Sequence, residues 1–135
     1  MKVAIVGTTK LTANEKIDMR QRITDGLQKY SLDSIIISGG AKGVDSLAIK
    51  AAKELGFQTK VYMPEKNEWK YYKKRNLQIA QDCDELYCFS VCVHKVKCYH
   101  HDSPQDHEKT AGCWTANQAM QLGKPCQLVV IQKRD

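Results

Sequence analysis

Short apolar runs alternate with stretches of helical period along the whole chain, and this alternation constrains the fold more than any single residue does. Lys2 to Val6, Ser34 to Ile37, Gln58 to Met63, Glu85 to Val91 and Gln127 to Ile131 read as five strands, each brief and bounded by turn or helix signals. Between the first two, Thr12-x-x-Glu15 is a capping-box signature, and Met19, Ile23, Leu27 and Tyr30 follow at helical spacing. Val44, Leu47, Ala48, Ala51, Ala52 and Leu55 form a second apolar stripe that stops at Gly56. Trp69, Tyr72, Asn76, Ile79, Ala80 and Cys83 form a third. Trp114 to Leu122 reads as a fourth helix, ended by Gly123-Lys124-Pro125. Right-handed crossovers between successive strands then predict an α/β fold: a doubly wound, parallel five-stranded sheet, Rossmann-like, with helices on both faces. At 135 residues the chain is read as a single domain, 1–135, with room for a genuine core.

In sheets of this kind ligands sit beyond the carboxyl ends of the strands, where the strand order reverses. The loops at that edge therefore carry the candidate site. Ser38-Gly39-Gly40-Ala41-Lys42-Gly43-Val44-Asp45 links the second strand to the second helix. Glycines there let backbone approach a ligand closely, and the first N–H groups of a helix attract an anion. Gly7, Thr8 and Thr9 bring backbone and two hydroxyls to the end of the first strand, and Pro64 ends the third. Asp45 either caps free N–H groups or takes a sugar hydroxyl. Asn76 is a polar residue in an apolar stripe, so it bonds loop backbone or faces a ligand. Arg75 beside it offers the planar fork that suits phosphate.

The run from Ser38 to Ala48, with Arg75-Asn76 on the third helix and Gly112 to Thr115 before the fourth, closely resembles the signature of the SLOG superfamily of Rossmann-like proteins. That superfamily includes the DNA-processing protein A group, the LOG-type nucleotide phosphoribohydrolases and small stand-alone nucleotide sensors. The resemblance covers the chain outside 91–111 and implies a nucleotide-type ligand on Gly7, Thr8, Thr9, the 38–45 loop, Pro64, Arg75, Asn76, Gly112 and Thr115. LOG-type hydrolases carry a catalytic glutamate in a Pro-Gly-Gly-x-Gly-Thr-x-x-Glu run. Here Gln118 stands in that place and Trp114 replaces a glycine. An amide cannot act as a general base. The resemblance thus points to a binding protein or sensor rather than to that hydrolysis. A nucleotide phosphoribohydrolase-like enzyme is kept as the alternative, and Asp45 or Glu68 would be the groups to support a reaction other than that hydrolysis.

From Val91 to Ala111 no period is visible, and this Cys/His-rich insertion holds all four histidines of the chain. Irregular segments of that length are functional, disordered or stapled. Cys98-x-x-His101 followed by His107 and Cys113 offers nitrogen and sulfur ligands near the spacing of structural zinc sites, with His100 competing for one place. The competing reading is a polar loop with scattered histidines and buried cysteines.

The net charge of +6 is uneven. Lys66, Lys70, Lys73, Lys74 and Arg75 interleave with Trp69, Tyr71 and Tyr72. This pattern suits a solvated helix face, and it also suits single-stranded nucleic acid, the third function considered. The aromatic segment is equally a surface through which copies of the chain could pair. No apolar run approaches the roughly 20 residues needed to cross a bilayer. Met1 to Gly7 is too short for a secretory signal, so a cytoplasmic location with no membrane partner is expected.

Overall fold

The computed structural model of the chain describes residues 1–92, 107 and 110–135. Among these, the order is β1 (Lys2–Gly7), α1 (Ala13–Leu27), β2 (Ile35–Gly39), α2 (Val44–Leu55), β3 (Gln58–Tyr62), α3 (Trp69–Asp82), β4 (Glu85–Val91), α4 (Ala111–Gln121) and β5 (Cys126–Ile131). The five strands form one sheet in the order β3-β2-β1-β4-β5, and every pairing is parallel. The order reverses between β1 and β4, whose carboxyl ends meet with Gly7 opposite Phe89. The expected α/β architecture is therefore present, and its reversal point fixes where a crevice opens.

Alternation along β1 divides the core into two. Val3 and Ile5 point to the face covered by α1 and α2, where Met19, Ile23, Leu27, Ala48 and Ala52 bury against them. Ala4 and Val6 point to the other face and meet Ile79, Ala80, Cys113, Ala116 and Ala119 of α3 and α4. Each fully buried large side chain of this kind contributes about 1.5–3 kcal/mol of transfer free energy. The small residues of α2 and α4 let those helices approach the sheet closely.

Helix ends follow local chemistry. Thr12 caps α1: its hydroxyl accepts from the Glu15 N–H at 3.2 Å, and Glu15 Oε1 accepts from the Thr12 N–H at 3.0 Å. The same Glu15 carboxylate accepts from the Arg134 N–H at 3.0 Å, which ties the carboxyl-terminal residues to α1. Gly56 ends α2 at φ 93°, a left-handed cap that glycine adopts without Cβ cost. Two boundaries differ from the sequence reading. Tyr30 lies beyond the end of α1, and α4 begins at Ala111 rather than Trp114. Gly112 to Thr115 consequently lies inside the first turns of α4 and not before it.

At the amino edge of the sheet the polar groups are paired. Asp82 ends α3 and accepts from Lys2 Nζ at 2.8 Å, from Lys60 Nζ at 3.4 Å and from the Tyr62 hydroxyl. These three donors hold its carboxyl down at about 2. Lys2 N–H donates to Asp84 at 2.7 Å, and the Tyr30 hydroxyl meets Glu85 Oε2 at 2.5 Å and the Tyr87 hydroxyl at 2.6 Å.

Candidate functional site

A cavity of about 510 Å³ opens at the carboxyl edge, between the ends of β1, β2 and β3 and the starts of α3 and α4. Three close approaches of glycine backbone fix the loops around it. A Cβ on Gly7 would stand 2.0 Å from the Phe89 carbonyl oxygen, and one on Gly112 would stand 2.7 Å from Gly7 N. Backbone of α4 thus rests directly on the end of β1, and neither position leaves room for a side chain. Gly43 adopts φ 76°, and a Cβ there would meet the Thr8 carbonyl oxygen at 2.4 Å. That carbonyl accepts the Val44 N–H at 2.9 Å and so anchors the start of α2.

The cavity floor is polar. Arg75 is buried, with Nε donating to Asn76 Oδ1 at 2.7 Å and Nη1 to the Tyr62 carbonyl at 3.3 Å, while Tyr72 lies 5.6 Å from its guanidinium carbon. Across the α-carbon of Gly39 it faces Asp45: a Cβ on Gly39 would meet Arg75 Nη1 at 2.5 Å and Asp45 Oδ2 at 2.7 Å. Burial pushes the Asp45 carboxyl up to about 6, against the pull of Arg75, the Ser38 hydroxyl and the backbone N–H groups of Ala41 and Gly39. Burial likewise lowers Arg75 from its ordinary value, and the Asp45 charge opposes that. Asp45 does not act as the cap of α2, whose cap position is Gly43 with no side-chain bond. Asn76 is 4% exposed, and its Nδ2 has no hydrogen-bond partner among the described residues. A buried donor left in that state costs about 1–3 kcal/mol, so its place on a cavity wall is informative.

Of the residues singled out in the sequence, Gly7, Thr9, Gly40, Ala41, Asp45, Pro64, Arg75, Asn76, Gly112 and Thr115 line this cavity. Thr8, Ser38, Gly39, Gly43 and Val44 are not among its lining residues and are all buried. Thr8 Oγ1 donates to Ser90 Oγ at 3.4 Å, and Ser38 Oγ donates to the Ile5 carbonyl at 2.5 Å. Their role is to hold the strand ends in register. Met63 lines the cavity beside Pro64, and so do Asn67, Trp69 and Tyr72, which the sequence reading did not place at the site. For Trp69 and Tyr72 the signal was the aromatic–lysine segment. Asn67 carried none beyond its nearness to Pro64.

Trp69 is 51% exposed and meets Trp114 edge to face, with ring centroids 5.9 Å apart. Lys73 Nζ lies 5.8 Å from the Trp114 ring centroid, and Lys66 and Lys70 flank Tyr71 at 5.8 and 5.0 Å. Lys66, Lys70, Lys73 and Lys74 are exposed, whereas Arg75 leaves this surface for the floor. Gln118 is half-buried on α4 and does not line the cavity.

The expected metal ligands divide between described and undescribed residues. His107 and Cys113 are both buried, with Nε2 and Sγ 3.6 Å apart. Cys98, His100 and His101 lie outside the described residues. Among the described residues no group of three or more candidate ligands comes together. No helix among them is long and apolar enough to cross a membrane.

The family described as DNA recombination-mediator protein A matches residues 1–104. The solved structure of DNA processing protein A (DprA) from Streptococcus pneumoniae is similar at a TM-score of 0.67 and 19% identity, over 94% of this chain and 49% of that one. The structural-genomics target TM1055 is similar at a TM-score of 0.62 and 19% identity, over 93% of this chain and 71% of that one. At such identities the likeness is one of fold, and this chain spans about half the length of the pneumococcal protein. No curated protein matches the chain.

Proposed function

This chain belongs to the DNA recombination-mediator protein A family, and on that footing we propose that it binds a nucleotide or nucleotide-derived ligand in the cavity beyond the carboxyl ends of its strands. The observation that carries the reading is the orphaned Nδ2 of Asn76, buried in the wall of that cavity. A fold does not strand a buried donor without cost, and a ligand acceptor would remove the cost. The surroundings suit a nucleotide. The cavity volume falls in the range of small-molecule sites, roughly 300–1,000 Å³. Lys42, the Gly40–Ala41 backbone and the first turn of the 11-residue α4 gather positive potential at the rim for a phosphate. Tyr72 and Trp69 offer flat apolar faces for a base. With Gln118 away from the cavity, the reading is one of binding, as a small sensor would do, and not of LOG-type hydrolysis.

Thermal unfolding with nucleoside monophosphates, ADP-ribose, NAD and cyclic nucleotides tests it. A ligand at a hundred times its Kd should add about 2.7 kcal/mol of stability. A melting temperature unmoved across the whole panel overturns the proposal. A second reading, single-stranded nucleic acid, is favoured by the Trp69–Trp114 pair beside exposed lysines and by the likeness to the pneumococcal DNA processing protein A. Its mark is oligonucleotide binding that weakens steeply with salt. For structural zinc on Cys98, His101, His107 and Cys113, metal analysis of the purified chain decides: stoichiometric zinc supports it and none counts against it.

A further inference from the structure

The floor of the cavity carries opposite charges on Asp45 and Arg75, and this decides which part of a ligand fits there. Among the described residues Arg75 is one of two cations lining the cavity, but Asp45 faces it across Gly39, and its Nε and Nη1 already serve Asn76 and the Tyr62 carbonyl. A phosphate brought to the floor would meet the Asp45 carboxylate as well as the guanidinium. The other lining cation, Lys42, is exposed at the rim and is free of that opposition. The floor therefore disfavours the anionic end of a ligand and leaves it to the rim.

What the floor does offer is one acceptor and one donor lining the same cavity, each next to the Arg75 guanidinium. Arg75 Nε holds Asn76 by its Oδ1, which fixes the amide so that Nδ2 is the end without a partner among the described residues. Asp45 and Arg75 make no ion pair within 4.0 Å among those residues. A carboxylate has about four lone-pair positions, so Asp45 can accept from a ligand while it faces the loop amides. A hydroxyl both donates and accepts. Two neighbouring hydroxyls satisfy the pair together, one donating to Asp45 and the other accepting from Asn76 Nδ2. A base edge that sets an N–H beside a carbonyl would also meet both groups, but the base has the flat faces of Tyr72 and Trp69 to lie on, which leaves the floor to the sugar.

We infer that Asp45 and Asn76 form a sugar subsite that takes the vicinal hydroxyls of a ribose, so that the cavity selects ribonucleotides over their deoxy counterparts. This rests on the nucleotide reading above and gives it an orientation. The sugar sits at the floor, the phosphate at Lys42 and the first turn of α4, and the base along Met63, Trp69 and Tyr72.

Calorimetric titration of the wild-type chain tests it with the four common ribonucleoside monophosphates and their 2′-deoxy and 2′,3′-dideoxy counterparts. The ribo form of whichever base binds should be tighter than its dideoxy form by about ten- to hundredfold, because the analogue leaves buried polar groups unmet. Asn76→Ala and Asp45→Asn should each shrink that ratio towards unity, and the wild-type series stands even where a variant fails to fold. Equal affinity for ribo and dideoxy forms, or tighter binding of the deoxy form, overturns the sugar subsite and leaves nucleotide binding intact. Absence of binding by every compound overturns the sugar subsite, and the wider panel above then decides the nucleotide reading.

Discussion

Two aspartates, one at each edge of the sheet, show what separates architecture from site in this molecule. At the amino edge, Asp82 gathers Lys2, Lys60 and Tyr62, and its carboxyl is held at about 2. At the carboxyl edge, Asp45 is more deeply buried and faces Arg75 without closing an ion pair, and its carboxyl is pushed up to about 6. One cluster is complete and lowers the free energy of the fold. The other leaves Asp45 short of a closed ion pair and the amide of Asn76 unmet. Polar groups that a fold fails to satisfy in its interior gather where a ligand is meant to complete them.

The largest expected effect would break the backbone on which the carboxyl edge is built. Gly7→Ala places a methyl 2.0 Å from the Phe89 carbonyl oxygen, which is backbone and cannot swing aside. Strands β1 and β4 must part at the reversal point, where the Thr8 N–H also donates to that same carbonyl at 3.1 Å. The loss should be about 3 kcal/mol by urea unfolding, at the upper end of overpacking costs. A loss below about 1 kcal/mol would mean that the junction of α4, β1 and β4 is looser than described.

The next effect separates the two aspartates by pH. Asp45 binds a proton more tightly folded than unfolded, so between about 4 and about 6 the folded state holds more protons. Its contribution to stability is therefore present at low pH and is lost as pH rises through about 6. Asp82 has the opposite sign: its contribution is present above about 4 and is lost as pH falls towards about 2. Urea unfolding from pH 3 to 8 should show the gap between wild type and Asp45→Asn moving against the wild type across the upper window, by about 2 kcal/mol. The gap between wild type and Asp82→Asn should favour the wild type by about 1 kcal/mol once pH passes 4, since its lysine partners are half-exposed. Parallel profiles for the two variants would erase the distinction between the edges.

The sequence was legible where one residue type alone meets a backbone demand. The apolar stripe Val44 to Leu55 ended at Gly56 because only a left-handed cap stops a helix so sharply, and the structure ends α2 there. Asn76 stood out because an amide in an apolar stripe needs a reason. The start of α4 was not legible: Ala111-Gly112-Cys113 shows no stripe, since small residues there serve close contact with β1 rather than helical period. Nor was the Asp45–Arg75 relation, which joins a loop after β2 to α3 and exists only once both pack over Gly39. Asn67 escaped notice because a cavity wall asks only for surface, and many side chains supply it.

The smallest effect on stability should be the sharpest on the comparison. Gly40→Ala, like Gly7→Ala, introduces a close contact, here 2.0 Å to Met63 Sδ and 2.7 Å to its Cε. The partner differs in kind. Met63 is 66% exposed and its side chain turns about several bonds, so it can yield where the Phe89 carbonyl cannot. Gly40 also needs no left-handed backbone, so alanine brings no torsional penalty. Stability should change by no more than about 0.5 kcal/mol, in the range of surface substitutions. Met63 nevertheless lines the cavity, and the new methyl sits in its glycine wall. Nucleotide affinity should fall about tenfold while the melting temperature of the free protein holds, measured by titration and thermal unfolding of the same preparation. A stability loss as large as that of Gly7→Ala would show that the loop after β2 belongs to the framework, and the difference between a finished edge and an open one would then lie in Asp45 and Asn76 alone.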